Sequence, residues 1–219
     1  MKWRDDLIKD IRSFTSYDDE DVFSDLIKHP FGYDDFALNI QANPDMGYEE
    51  VTECNRQALL FNFLRIKEKC KSILEIGIGR NDKKSFSYVF TENKNDDTVY
   101  VGIDIEDRSF LNDPAKNIHT FVCDSSNYSD NLKLFKGVGV SSFDFIFIDG
   151  WHSINQVLRD WEYTNLLTDN GIVGFHDVSC HPGPYYFTRY LDRDKWVVGE
   201  NCCPKDWGVS FVNKKYECN

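Results

Sequence analysis

Five short apolar runs punctuate the chain, at 73–76, 99–103, 118–122, 143–148 and 172–175, and each has the length of a strand. Helical segments separate several of them, which predicts a parallel sheet joined by crossovers. The clearest crossover helix is expected over 154–167, where Ile154, Val157, Leu158, Trp161 and Leu166 share a face; Thr168-Asp-Asn-Gly171 reads as its C-terminal turn. Ahead of the first run, Val51, Cys54, Ala58, Phe61 and Leu64 form a helical stripe. It ends in the basic stretch Lys67-Glu-Lys-Cys-Lys71, where cations favour the helix dipole. Two last runs, Trp196-Val-Val-Gly199 and Gly208-Val-Ser-Phe-Val212, lie too close together for a crossover and are expected to pair antiparallel. Upstream of the turn signal Asn43-Pro44-Asp45-Met-Gly47, residues 1–45 read as an acidic helical leader. Trp3, Leu7, Ile11 and Phe14 recur there at helical spacing, and Val22, Leu26 and Ile27 do so again before His29-Pro30. The chain thus divides into an N-terminal extension over 1–45 and a main domain over 46–219. The extension is expected to cap the domain, with a lid or a dimer arm as the alternative.

The ends of the first two runs carry the strongest chemical signal. Ser72-Ile-Leu-Glu-Ile-Gly-Ile-Gly79 closes on an acid and two glycines, and Tyr100-Val-Gly-Ile-Asp104 closes on an aspartate. In an open α/β sheet such strand ends face the crevice where nucleotide-like ligands bind. Glycine lets the backbone approach a ligand, and a carboxylate at the second tip can accept from ribose hydroxyls. The dinucleotide fingerprint would need a third glycine at position 82, which is Asp82. Its ribose acid should also follow the first glycine by roughly 20 residues, nearer than Asp104 stands to Gly77. Acids at the rim, Glu75 and Asp104, suit the positive sulfonium and ammonium of S-adenosylmethionine better than a pyrophosphate.

Composition narrows the class. The 219 residues, 41% hydrophobic and 28% charged, describe a globular chain large enough for one good core. A formal charge of −12 opposes binding to nucleic acid through phosphates. No run is long enough to span a bilayer and no signal-peptide core opens the chain, so a cytosolic location is expected and membrane partners are not. The seven cysteines lack metal-ligand pairing; they read as thiols of a reducing compartment rather than a disulfide framework.

Five parallel-type strands followed by a hairpin resemble the class I S-adenosylmethionine-dependent methyltransferases over roughly residues 50 to 213. The resemblance implies a Rossmann-like three-layer α/β sandwich, with a seven-stranded, mostly parallel sheet and one antiparallel strand from the C-terminal hairpin. More narrowly, Phe143-Asp-Phe-Ile-Phe-Ile-Asp-Gly-Trp-His152, Val157-Leu-Arg-Asp160 and Gly171-Ile-Val-Gly-Phe-His-Asp177 are similar to the small-molecule O-methyltransferase branch. That branch includes the macrolide-sugar methyltransferases and their cephalosporin-hydroxylase-like relatives. It implies that Glu75, Gly77 and Gly79 hold the methionine end of the cofactor. Asp104 then grips the ribose, Ile105 packs on the adenine, and Asp124 with Ser125 meets the adenine amino group. Ser85, near the next helix start, is expected to bond the methionine carboxylate. Arg80-Asn-Asp-Lys-Lys84 departs from the family's small, glycine-rich loop and puts that last role in question.

The tips of the fourth and fifth runs supply the candidate reaction site. Asp149 and His152 flank a glycine at one tip, and His176-Asp177 ends the other. Adjacent strands lie about 4.8 Å apart, so the groups can converge. The resemblance implies His152 as general base, and Asp149, which also borders the cofactor, with His176 and Asp177 as ligands of Mg²⁺ or another divalent ion. Relatives carry an acid where this chain has His176; imidazole favours a softer ion or removes one Mg²⁺ ligand, so metal dependence stays open. His181 can join a histidine-rich site or be a loop residue beside Pro182. Each residue has a plainer role available: Asp149 as a helix cap, His152 as a helix-start residue, Asp177 as a turn former. Arg159 and Asp160 are expected to face solvent or pair in salt bridges. Trp151 and the segment 181–187 form either an aromatic substrate wall or simple packing. The expected activity is methyl transfer to a hydroxyl of a small molecule such as a sugar. A non-catalytic cofactor-binding protein and an NAD-dependent oxidoreductase are the alternatives, and homo-oligomerisation is left open.

Overall fold

A computed structural model describes residues 51–179, 181–200, 202–203 and 206–215; the expected leader over 1–45 lies outside them. Helix α1 (Glu53–Leu64) leads into β1 (Ser72–Ile76), α2 (Phe86–Asn93), β2 (Val99–Asp104) and β3 (Ile118–Val122). Then follow α3 (Tyr128–Gly137), β4 (Phe143–Ile148), α4 (Ile154–Asp160) and β5 (Leu167–His176). Helix α5 (Pro182–Tyr190) and the strands β6 (Trp196–Val198) and β7 (Val209–Lys214) complete the chain. The seven strands form one sheet in the order β3-β2-β1-β4-β5-β7-β6. The pairs among β1 to β5 are parallel, and β7 is antiparallel to both β5 and β6.

Side-chain alternation explains the three layers. Leu74, Ile76, Val101, Ile103, Ile146, Ile148, Val173 and Phe175 point to one face and pack with Phe135 of α3, Val157 of α4 and Phe187 of α5. Ile73, Tyr100, Phe145, Phe147 and Ile172 point to the other and pack with Leu59 and Phe63 of α1 and Phe86 and Phe90 of α2. Both faces are covered, so the central strands read as unbroken apolar runs rather than alternating ones. Strand order reverses between β1 and β4, whose C-terminal ends open together.

Several local expectations are corrected. Helix α1 buries Asn55, Leu59 and Phe63, whereas Phe61 and Leu64 of the expected stripe are exposed. The i, i+4, i+8 row won because Phe63 fits edge-on against Phe90 and Phe145. The basic stretch lies past the helix end, in a 3-10 turn over Lys67–Lys69. Helix α4 stops at Asp160, and Trp161–Leu166 winds as a 3-10 helix, with Thr164 Oγ1 donating to the Trp161 carbonyl at 2.7 Å. The stretch 168–171 bulges within β5: Leu167 pairs with Phe143, but the next partner, Phe145, meets Ile172. Asp160 is fully buried rather than solvent-facing. The all-thiol reading also fails, because Cys54 of α1 and Cys203, just ahead of β7, form a disulfide; Cys70, Cys123 and Cys202 are free. None of the helices among the described residues is long and apolar enough to cross a membrane.

Candidate active site

A cleft of about 610 Å³ opens at the C-terminal ends of β1, β2 and β4. Its floor is the turn after β1. Gly77 has φ +84°, and a Cβ there would lie 2.2 Å from the Asp149 carbonyl oxygen, so only glycine fits where the β1 and β4 tips touch. Gly77 N–H donates to Ile103 O at 2.9 Å and Asp149 N–H to Ile76 O at 2.8 Å, which locks the turn between both neighbours.

The expected cofactor residues separate into two groups. Gly77, Gly79, Asp104, Ile105, Asp124, Ser125 and Asp149 all line the cleft. Glu75 and Ser85 do not; both are buried behind the loop. Glu75 accepts from Ser87 Oγ at 2.9 Å and from the Tyr100 hydroxyl, and Ser87 Oγ in turn accepts from Gly79 N–H at 3.2 Å. Complete burial pushes the Glu75 carboxyl up to about 8, against the hydrogen bonds that lower it. Glu75 therefore shapes the loop from beneath as a neutral acid. Ser85 packs under Gly79, where a Cβ would come within 2.5 Å of its own Cβ. Arg80, not Ser85, reaches the cleft from this loop.

At the β2 tip, Asp104 Oδ2 accepts from Ile78 N–H at 2.9 Å and Oδ1 from Glu106 N–H at 2.8 Å. Arg108 Nε stands 3.3 Å from Oδ2, an ion pair that the sequence reading missed although its i, i+4 spacing was visible. Ile105 is 72% exposed at the mouth, an apolar face offered to the cleft. The segment after β3 is strapped from below. Asn131 of α3 donates to Asp124 O at 2.9 Å, and the Tyr163 hydroxyl donates to Ser125 O at 2.7 Å. Gln156, also unanticipated, donates through Nε2 to Ser125 Oγ at 2.7 Å and to Asp160 Oδ1 at 2.9 Å. Burial raises the Asp160 carboxyl to about 7, and the acid, rather than meeting solvent, fixes the Gln156 side chain at the cleft wall through its hydrogen bond.

The β4 and β5 tips bring all four predicted reaction residues together. His176 Nδ1 lies 2.8 Å from Asp149 Oδ1 and 3.4 Å from Asp177 Oδ2, and His152 Nε2 lies 2.8 Å from the same Asp177 oxygen. Asp149 and His152 are on the cleft wall; His176 and Asp177 stand behind them. Asp177 has φ +60°, a left-handed conformation that aspartate tolerates better than most residues, and the turn aims its carboxylate at both imidazoles. Burial works against charge on both histidines, yet the two carboxylates prevail: His176 is pushed up to about 9 and His152 is also raised. Asp177 is held well below the usual range; its burial opposes this, but the histidines around it outweigh that cost. Burial raises Asp149. The cap for α4 is Ser153, whose Oγ accepts from Gln156 N–H at 3.1 Å, so Asp149 is released from the plainer role open to it.

His181 joins the cluster as the residue before α5, stacked on His152 with ring centres 3.9 Å apart. Trp151 lies parallel beyond His152 and Trp207 beyond His181. Gly183 permits this arrangement: its N–H donates to His152 O at 2.7 Å, and a Cβ there would meet that oxygen at 2.4 Å. The expected wall over 181–187 is mostly packing, since Tyr186 and Phe187 are buried in the core; Trp151 alone of that set lines the cleft.

Residues 75–178, a little under half of the chain, match the family model of a methyltransferase domain. The sheet order and the cleft at the switch point are those of the class I methyltransferase fold. Solved structures agree on the fold. MycE methyltransferase of the mycinamycin pathway, solved with Mg, SAH (S-adenosylhomocysteine) and mycinamycin VI, is 16% identical with a TM-score of 0.56; the match covers 83% of this chain and 54% of MycE. The chain thus spans about half the length of MycE. The O-methyltransferase from Bacillus cereus, in complex with SAH, is 16% identical with a TM-score of 0.55, covering 94% of this chain and 100% of that one. TomG from Streptomyces achromogenes, an O-methyltransferase of tomaymycin synthesis in complex with SAM, is 14% identical with a TM-score of 0.53 and 98% coverage of both chains. Among curated proteins, none matches the sequence.

Proposed function

We propose that the protein transfers a methyl group from S-adenosylmethionine to a hydroxyl of a small molecule. The observation that carries this reading is the placement of a histidine–aspartate pair, His152 and Asp177, beside a cleft whose other tips present Gly77 and Asp104. The cleft suits the donor: Asp104 and Asp124 offer acceptors, Ile105 an apolar face, and the floor is backbone that a ligand can approach closely. When bound, the donor supplies a methyl carbon on a sulfonium and leaves as the thioether.

His152 is the candidate general base. With Nε2–H donated to Asp177, the ring is held in one tautomer, and Nδ1, buried and without a hydrogen-bond partner among the described residues, is the nitrogen left to take the proton of an acceptor that reaches it. The acceptor oxygen loses its proton to that nitrogen as its bond to the methyl carbon forms. Stacking on His181 fixes the ring plane, and such positioning supplies much of the expected acceleration. Trp151, 44% exposed at the mouth, offers a flat face that suits a sugar ring or another planar acceptor. A charge of −12 favours a small acceptor over a nucleic acid.

The test is direct. Calorimetric titration should show SAH binding and no NADH binding, and a labelled methyl donor with pooled hydroxylated metabolites should yield a labelled methyl ether. Tight NADH binding without SAH binding would sink the proposal.

A further inference from the structure

The corner formed by Asp149, His176 and Asp177 does not suit the magnesium ion present with MycE. Magnesium demands oxygen ligands in a near-octahedral shell and gives up water reluctantly. Here one of the three inward donors is a nitrogen, His176 Nδ1, on a ring only 3% exposed and packed edge-on to Phe86. Further imidazoles crowd the same carboxylate, because His152, Asp177 and His181 form a second group of donors within 4.8 Å of one another. Imidazole suits zinc, iron and their neighbours, whereas carboxylate and water suit magnesium.

The spacing fits an ion as well as it fits hydrogen bonds. Two donors bound to one ion at about 2.1 Å stand roughly 3.0 Å apart at a right angle and roughly 3.4 Å apart at a tetrahedral one. His176 Nδ1 is 2.8 Å from Asp149 Oδ1 and 3.4 Å from Asp177 Oδ2. Metal binding would displace the proton that the imidazole shares with the carboxylates, leaving two negative charges that a divalent cation balances. His176 meets the two carboxylates through Nδ1; its Nε2, across the ring, is buried without a hydrogen-bond partner among the described residues.

We propose that Asp149, His176 and Asp177 bind a borderline transition ion such as Zn²⁺ in preference to Mg²⁺. The proposal rests on the preceding reading only for the location of the site, since ion binding is measurable without turnover. Full-length protein, stripped with chelator and without thiol reductant, is dialysed separately against Zn²⁺ and Mg²⁺, and bound metal is quantified. One Zn²⁺ per chain is expected, bound at least 100-fold more tightly than Mg²⁺. Co²⁺ substitution should give a visible absorption band that His176→Ala abolishes. His176→Glu, which restores an all-oxygen set, should weaken Zn²⁺ at least tenfold and strengthen Mg²⁺.

Three results would each overturn the proposal: Mg²⁺ bound as tightly as Zn²⁺, no ion bound, or a Zn²⁺ stoichiometry unchanged in both His176 variants. Circular dichroism and SAH titration on the same samples separate the possible failures. A variant that unfolds is replaced by His176→Gln, which keeps a neutral polar side chain. Normal SAH binding without metal defeats this inference and leaves methyl transfer standing. Metal binding without SAH binding does the reverse.

Discussion

The two halves of the cleft are built from different materials. Around the β1, β2 and β3 tips the site is largely backbone and rim: a glycine turn, an exposed Ile105, and carboxylates whose oxygens accept nearby N–H groups, as in Asp104 with Ile78 and Asp124 with Ser126. Around the β4 and β5 tips it is a buried lattice of ionisable side chains, with Asp177 tied to both His152 and His176 and Asp149 tied to His176. Local turns hold the first half, and each carboxylate there is satisfied within a few residues of itself or by the neighbouring strand. The second half exists only when separate strands and a helix start come together. Burial makes its charges interdependent, so removing one leaves the others uncompensated. The rim of the cleft can be assembled from local geometry; the ionisable cluster required tertiary packing.

Gly77 is the joint between these halves, and breaking it should have the largest effect. Gly77→Ala forces a Cβ into the Asp149 backbone at a positive φ, so a loss of about 3 kcal/mol in denaturant unfolding is expected, together with loss of SAH binding. A loss under about 1 kcal/mol would show that the two tips are not braced against each other.

The halves should then separate by variant. His152→Ala is expected to slow turnover by roughly 10²- to 10⁴-fold with SAH affinity kept within about threefold. Asp104→Ala should weaken SAH binding by roughly ten- to a hundredfold, the loss of one or two charge-assisted hydrogen bonds. If His152→Ala turned over normally, or Asp104→Ala bound SAH normally, the division of labour would be wrong.

The smallest effect concerns the acid beneath the binding half. Burial raises Glu75 from an ordinary 4.5 to about 8, so it folds as a neutral acid. Its contribution is fully present below pH about 4.5 and is lost as pH rises through 8, because the unfolded chain ionises first. Stability of the natural protein should therefore fall across pH 5 to 8. Glu75→Gln should flatten that slope and be the more stable form at pH 8.5 by roughly 1–3 kcal/mol. Parallel slopes for the two proteins, measured by denaturant unfolding, would place Glu75 in the ionised state instead.

Reading the sequence located every strand of the sheet, because each central strand is an apolar run buried on both faces and needs no partner to be recognised. Gly77, Asp104 and the Asp149–His152 and His176–Asp177 pairs were legible for a related reason: strand ends are visible in one dimension, and parallel strands must present those ends together. What failed were matters of side-chain direction and long-range pairing. Glu75 and Ser85 stand in the motif yet face away from the cleft, since successive residues alternate faces and the loop turns beneath itself. Asp160 lies on a helix too short for its periodicity to reveal that Gln156 and Ser125 would enclose it. Cys54 and Cys203 are far apart in sequence, and only the docking of α1 beside the segment leading into β7 brings them together. The stack of His152 on His181 likewise depends on Gly183 letting α5 approach the β4 tip. Sequence by itself determined the strand order of chemistry, because local hydrophobicity and strand-end residues are encoded residue by residue. Tertiary structure alone decided which side chains turned inward and which distant groups met, because those depend on how separately formed layers pack.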